Sequence, residues 1–396
     1  MSQNNKQNYV QPYNDTNKGN LFKSFDPNSF KFPHHSDELW RFTPLKIIHS
    51  LQNNSIVLNN YDKIDISSQS DIVVEQVERS DKRIGEICIP SDQIAAKAFS
   101  LFKTATIITI KHGIEISSPI EITINGPGFN FISYGHLQVR LENLSKATII
   151  IDLRGSGTYV DNIEIILNEG ANLKLIWIAN WNYRMANLSF HHTKLNKDAK
   201  LEYTNLALGG SLIRTSETIK FTGSGAHVDM RGAYFANNNQ FIESRILVDH
   251  SHPNCKSNIL YKGVLQKTEN CSRAYTHTVW VGDILIRNKA KNTKTFEANY
   301  NLMLTKGTRA DSVPNLEIET GEIIGAGHAS TTGNFDYQQI FYLQTRGISK
   351  EKAKRLIIHG FFDEIFNKNT LPNVVERIIS SIEKEFVQVE SKESYQ

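Results

Sequence analysis

Lys146-Ala147-Thr148-Ile149-Ile150-Ile151, Gly170-Ala171-Asn172-Leu173-Lys174-Leu175, Asp198-Ala199-Lys200-Leu201-Glu202-Tyr203 and Gly225-Ala226-His227-Val228-Asp229-Met230 start alike. Their alanines are spaced by 24, 28 and 27 residues. Most follow a turn former, and each precedes an alternating or β-branched run. A near-fixed period in this range marks a repeat architecture. Strand-only repeats of this length fit a coil of stacked β-rungs, because a lone rung cannot bury its apolar side. The alanines would then fill the same tight corner in successive rungs. A β-sandwich is the competing architecture; it predicts hairpin turns every ~8–12 residues and no period.

Outward from this stretch, strands dominate from about Thr104 to Ile324. Ala105–Ile110 and Ile120–Ile124 are short and β-branched, with Gly, Asn and Asp between strands. The reading is mainly β: a parallel β-helix core over 104–335, an N-terminal α/β cap over 21–103 and a C-terminal helical domain over 336–396. Residues 1–20 form a polar tail expected to be disordered, with no apolar segment and so no secretory signal. In the cap, Ser36–Phe42 reads as a short capped helix. Asp92 starts another, with Ile94, Ala95, Ala98, Phe99 and Phe102 on one face. At the far end Asp336 and Ser349 cap helices, the first stopping near Gly347. A third follows Pro372, with Val375, Ile378, Ile379, Ile382 and Phe386 on one stripe. Helices in this place either cap the coil or present a groove to a partner.

Composition narrows function. Forty-four basic residues nearly balance 41 acidic ones, which gives no electrostatic case for nucleic acid. No apolar run approaches the ~20 residues of a membrane span. Three cysteines, Cys88, Cys255 and Cys271, fit neither a disulfide framework nor a paired metal motif, and a reducing cytosol is the simplest setting. No phosphate loop GxxxxGK[ST] and no GxSxG elbow occur, so nucleotide binding and serine hydrolysis are not expected of this chain. A polysaccharide lyase would need clustered acids for calcium, and the acids here are scattered. His250 and His252 could face one way on a strand as a metal pair, but no third ligand is near; with His277 they read as hydrogen-bonded histidines. Cys255 and Cys271 read as buried thiols.

The stretch from Asn301 to Arg346 is the most site-like. Pro314 interrupts a strand pattern, Gly321, Gly325 and Gly327 suggest tight turns or close backbone approach, and His328 follows, flanked by Gly327 and Ala329. A neutral imidazole there is a ready iron ligand or an ordinary structural histidine; the residues leave both open. Glu317 and Glu319 share a strand face and either steer a cation or form a solvated edge.

Four motifs carry a resemblance. They are Glu38-Leu-Trp-Arg-Phe-Thr-Pro-Leu45, Asn301–Leu304 with Arg309–Thr320, Gly327-His-Ala-Ser-Thr-Thr-Gly333, and Phe341–Ile348 with the helix through Phe362. Together they resemble the SufB/SufD family of iron–sulfur cluster assembly scaffolds, nearer its D branch. The B branch carries a cysteine before an Asp-Ser pair, where this chain has Ala310, and a rung cysteine near Val228. Many D-branch chains carry one two residues before the histidine, where Ala326 stands here. The resemblance implies a right-handed parallel β-helix and a non-enzymatic scaffold subunit in the cytoplasm. It implies pairing with a SufB-like subunit, at an interface where Pro314, Gly325, Gly327 and Ala329 would lie, and docking of a SufC-like ABC-type ATPase on the C-terminal helices through Ile357, Phe361, Phe362, Ile378 and Ile382. A homodimer is the assembly left when the partner is missing. It further implies that His328 offers an imidazole to iron or a transient iron–sulfur cluster shared with the partner, and that no cofactor is held tightly by this chain alone. The rivals from other classes are a β-helical carbohydrate-active enzyme and a structural β-solenoid.

Overall fold

The computed structural model describes residues 18–52, 64–67, 71–267, 276–366 and residues 375, 376, 379, 380, 382 and 383. Its strands are β1 (Ile64–Ile66), β2 (Ile72–Val77), β3 (Ala105–Ile110), β4 (Ile120–Asn125), β5 (Ile132–Leu141), β6 (Lys146–Arg154), β7 (Gly157–Leu167), β8 (Asn172–Trp181), β9 (Met185–Leu195), β10 (Lys200–Gly209), β11 (Leu212–Phe221), β12 (His227–Asn237), β13 (Phe241–His250), β14 (Lys256–Gln266), β15 (Thr276–Ile286), β16 (Lys294–Met303), β17 (Thr308–Ile318) and β18 (Gly325–Asn334). Even strands from β4 to β18 form one sheet and odd strands from β3 to β17 the other, each strand pairing in parallel with the next of its own sheet. The chain thus winds as a two-sheet parallel β-solenoid of about eight turns. Two strands of the expected cap join it: β1 pairs antiparallel with β4 and β2 with β3, so the sheets begin before residue 104.

The repeat is real, but its first corner is not Ala147. Strand register places Lys146 opposite Asn172, Asn172 opposite Lys200 and Lys200 opposite His227. The corner column is therefore Ser145, Ala171, Ala199, Ala226, Cys255 and Thr293, all fully buried. Ala147 stands two residues further on, opposite Leu173. The residue before each corner has a positive φ: Leu144 (58°), Gly170 (66°), Asp198 (56°), Gly225 (76°), Asn254 (61°) and Asn292 (56°). Its N–H donates to a carbonyl in the following turn, as in Leu144 to Glu169 (2.8 Å), Gly170 to Lys197 (2.9 Å) and Asn254 to Lys291 (2.8 Å). Left-handed backbone aims that amide along the coil axis, and only a small side chain fits the corner beneath it. Cys255 is a corner filler of this kind, its Sγ 3.4 Å from the Gly223 carbonyl oxygen.

Inward side chains alternate with outward ones and fill a lumen containing Trp177, Tyr203, Phe221, Tyr261 and Trp280. The lumen also buries a polar chain. Ser189 donates to Asp161 (2.5 Å), His191 lies 2.8 Å from Ser189 Oγ and 2.7 Å from the Tyr203 hydroxyl, and Asn205 donates to Glu217 (2.6 Å).

The N-terminal segment lies on the outer face of the odd-strand sheet. The expected helix over Ser36–Phe42 is a run of turns instead. The carbonyls of Glu38 and Leu39 accept from Arg245 (3.0 Å) and Arg214 (2.8 Å) rather than from amides further along the chain. The four-residue helix α1 is Leu45–Ile48. Helix α2 (Gln93–Leu101) forms as read, capped by Asp92, which accepts from the amides of Ile94 and Ala95.

On the even-strand sheet lie α3 (Tyr337–Thr345) and α4 (Lys350–Phe362). Helix α3 ends in a Schellman motif: Gly347, at φ 82°, donates to Gln344 O, and Ile348 to Leu343 O. Ile358 and Phe362 of α4, with Ile365 and Ile382, pack on outward residues of the sheet such as Ile176, Leu206 and Phe235. Of the third helix, Ile378 and Phe386 lie outside the described residues, as does Cys271.

Candidate functional site

The solenoid ends in a rung that no described residue covers. At the open end β17 and β18 are the terminal strands of their sheets. No further rung covers their inner faces among the described residues. Strand β18 pairs with β16 so that Glu297 stands opposite His328, Asn299 opposite Ser330 and Asn301 opposite Thr332. Parallel neighbours in register point the same way, so Ala326, His328, Ser330 and Thr332 face the lumen. From β17, Ala310, Ser312, Pro314 and Leu316 face it from the other side, opposite Thr278, Trp280, Gly282 and Ile284. Ala310, Leu316 and Ala326 pack on the lumenal core.

Pro314 does not break its strand, because an edge strand tolerates a missing amide. The glycines also differ from expectation. Gly321, Gly325 and Gly327 are not left-handed, and an added Cβ would meet nothing at Gly321 and Gly325 and only the Phe296 ring at Gly327. Gly325, Gly327 and Ala329 alternate onto the outer face of β18, away from His328. The imidazole is exposed because the coil stops there, rather than because its neighbours are small.

The other candidates do not converge on it. Glu317 lies on the outer face of the odd-strand sheet, opposite Leu285. Glu319 follows it, 3.7 Å from Arg287 and accepting from the Asn288 amide (3.1 Å). His250 is buried, stacked on Phe221 (4.4 Å) and bonded to Ser257 (2.9 Å), and burial pushes it down to about 3. His252 lies 3.1 Å from the Phe221 carbonyl oxygen and His277 2.6 Å from Asp311. These are structural positions. Among the described residues no group of three or more His, Cys, Asp or Glu side chains is placed to hold a metal.

One residue of the site escaped the sequence reading. Glu297 is fully buried, and neither carboxylate oxygen has a hydrogen bond of good geometry. The Asn315 amide is the favourable backbone group beside it, and burial pushes the carboxyl up to about 8. Thr295-Phe-Glu-Ala-Asn-Tyr-Asn301 alternates polar and apolar, which ordinarily puts the polar residues outside. Here Thr295, Glu297, Asn299 and Asn301 are buried in the lumen, while Ala298 and Tyr300 face out into the cluster beneath α4 and Phe296 is exposed.

Among the proposed docking residues, Phe362 and Ile382 are 1% and 3% exposed and pack on the solenoid. Ile357 and Phe361 are half-buried. The exposed apolar side chains of this region are Tyr337 (67%), Phe341 (69%), Tyr342 (58%) and Leu356 (48%).

A family model described as SUF system FeS cluster assembly, SufBD core domain, matches residues 122–361. The chain belongs to the SufBD family. A SufBD family iron–sulfur cluster assembly protein of Mycobacterium leprae is 50% identical over 376 residues, covering 95% of this chain and 96% of that protein. One from Mycobacterium tuberculosis is 49% identical over 95% of each chain. The SufD protein of Escherichia coli is 26% identical over 69% of this chain and 66% of its own length. The SufBD core match spans the open end and most of α4, so His328, Glu297 and the exposed helical face all lie within it or beside it.

Proposed function

We propose that this chain is the SufD-like subunit of a SufBCD-type scaffold for iron–sulfur cluster assembly. It pairs end to end with a SufB-like subunit through β17 and β18. It docks a SufC-like ABC-type ATPase on α3 and α4, and it offers His328 to iron or a nascent cluster at the junction. The observation that carries this reading is the last rung: two terminal strands with free edges around an open lumen, with an exposed imidazole on the inner face. Free strand edges are templates for pairing with another chain. An imidazole supplies one ligand and, among the described residues, no thiolate accompanies it, since Ala310 and Ala326 stand at the open end; the partner supplies the rest. The ATPase activity belongs to the partner, because this chain has no phosphate loop. The docking face is the exposed set Tyr337, Phe341, Tyr342 and Leu356. The free, buried thiols of Cys88 and Cys255 support a reducing, cytosolic setting.

The test is co-expression with SufB-like and SufC-like subunits, followed by anaerobic reconstitution with iron and sulfide. A stable complex with an oxygen-sensitive visible chromophore is expected. His328→Ala should keep the complex and lose most of the chromophore. If complex and cluster yield are both unchanged, the site assignment fails.

A further inference from the structure

His328 does not face the lumen alone. The inward column that ends in it runs Ile149, Leu175, Tyr203, Met230, Ile259, Glu297 and His328, each opposite the next in strand register. It is apolar or aromatic until its last two members. A carboxylate then stands one strand behind an imidazole, on adjacent parallel strands about 4.8 Å apart.

Glu297 is unusual among the lumenal acids. Asp161 accepts from Ser189 and Glu217 from Asn205, so each has an oxygen engaged by a side chain. Both oxygens of Glu297 lack a well-formed hydrogen bond, although the residue is fully buried. A buried carboxyl with only the Asn315 amide beside it costs free energy and calls for a reason. Space has also been made for it: an added Cβ at Gly282, on the opposite sheet, would overlap Glu297 Oε2. Gly282 is itself opposite Pro314 of the last rung, so the carboxylate lies across the lumen directly behind the open face.

We propose that Glu297 is a second ligand from this chain for ferrous iron, forming with His328 an imidazole–carboxylate pair whose remaining coordination positions are filled by the partner subunit or solvent. The idea rests on the reading of His328 as an iron ligand. Nitrogen and carboxylate oxygen are a donor set that suits ferrous iron. The pair would bind an incoming iron before sulfide arrives, which a lone imidazole does poorly. The burial of Glu297 keeps the site at the lumen mouth rather than on the outer surface.

Cobalt(II) is the probe, added anaerobically to the co-purified complex, with binding followed by its visible d–d bands and ferrous iron measured by chelator competition. Wild type should show one site per copy of this chain. Glu297→Gln should weaken it by about tenfold or more and shift the bands, with assembly and melting temperature retained. His328→Ala should abolish it. If His328→Ala abolishes binding and Glu297→Gln changes neither affinity nor bands, the pair is wrong and the histidine reading stands. If wild type binds no cobalt, or His328→Ala leaves binding intact, both fall. Should Glu297→Gln fail to assemble, Glu297→Asp serves instead: withdrawing the carboxylate by one methylene shifts the bands if it is a ligand, and unshifted bands overturn the pair.

Discussion

The Arg214 guanidinium lies 3.9 Å above the Trp40 ring, joining the odd-strand sheet to the N-terminal segment. Around it Arg245 donates to Glu243 (2.6 Å), and Glu243 accepts from Thr43 (2.6 Å). The Glu38–Thr43 motif is thus a clasp laid over a buried charge cluster, far from the open end in sequence but on the same solenoid. Trp40→Ala should cost about 3–5 kcal/mol by urea denaturation. Glu243→Ala should cost a similar amount, because it leaves Arg214 and Arg245 buried without their counter-charge. Losses under 1 kcal/mol for both would show that the clasp contributes little.

The corner column makes an opposite pair of predictions. Leu144 is held at φ 58° with its side chain largely exposed. Left-handed backbone costs a residue with a Cβ about 1–2 kcal/mol, partly offset by the entropy glycine loses on folding. Leu144→Gly should therefore stabilise the fold by about 0.5–1 kcal/mol. Ala199→Leu, which overfills a corner with no free space, should cost about 1–3 kcal/mol. Thermal melts of both variants, compared with wild type, check the signs.

Stability should depend on pH through the lumen. Burial pushes Glu217 up to about 8, against the hydrogen bonds of Thr215 and Asn205 and the charge of Arg214. The folded chain therefore holds a proton that the unfolded chain releases, and stability falls as pH rises from the ordinary carboxylate value of 4.5 to about 8. His191, opposite Glu217 in strand register, is pushed down to about 3 by burial, with the neighbouring His192 adding to it. Its contribution is lost as pH falls below 6.5. The two act in opposition between 4.5 and 6.5, and above 6.5 only the carboxylate acts. The melting temperature of wild type relative to Glu217→Gln should fall between about pH 6.5 and 8. A gap independent of pH would contradict this origin.

The two faces of the C-terminal helices should separate by mutation. Phe362→Ala removes a side chain buried on the even-strand sheet and should cost about 3–5 kcal/mol. Phe341→Asp changes an exposed position and should alter stability by no more than about 0.5 kcal/mol. On the docking proposal it should nonetheless weaken capture of the SufC-like ATPase by at least about tenfold, since central aromatic residues dominate interfaces. Unchanged capture would place the ATPase on another surface.

The repeat was legible because its cause is local. Gly170, Asp198 and Gly225 suit left-handed backbone, and Ala171, Ala199 and Ala226 suit the corner. Leu144-Ser145 misled the alignment by two residues because neither carries that local signature; only strand register reveals them as the same corner. Asp92, Asp336 and Ser349 announced their helices for the same local reason, whereas the turns at Ser36–Phe42 form because arginines distant in sequence take the carbonyls.

His328 was legible as a candidate from its motif, but what exposes it was not. The sequence by itself determined the turn chemistry, the strand alternation and the helix caps, all set by interactions within a few residues. Only the tertiary structure decided which alternating face of β16 and β18 is inside, and hence that Glu297 stands behind His328. It also decided that Phe362 is buried while Phe341 is free. Period-2 alternation and an amphipathic stripe are each symmetric between two faces until the opposing sheet or helix is in place, and that partner comes from residues far away in the chain.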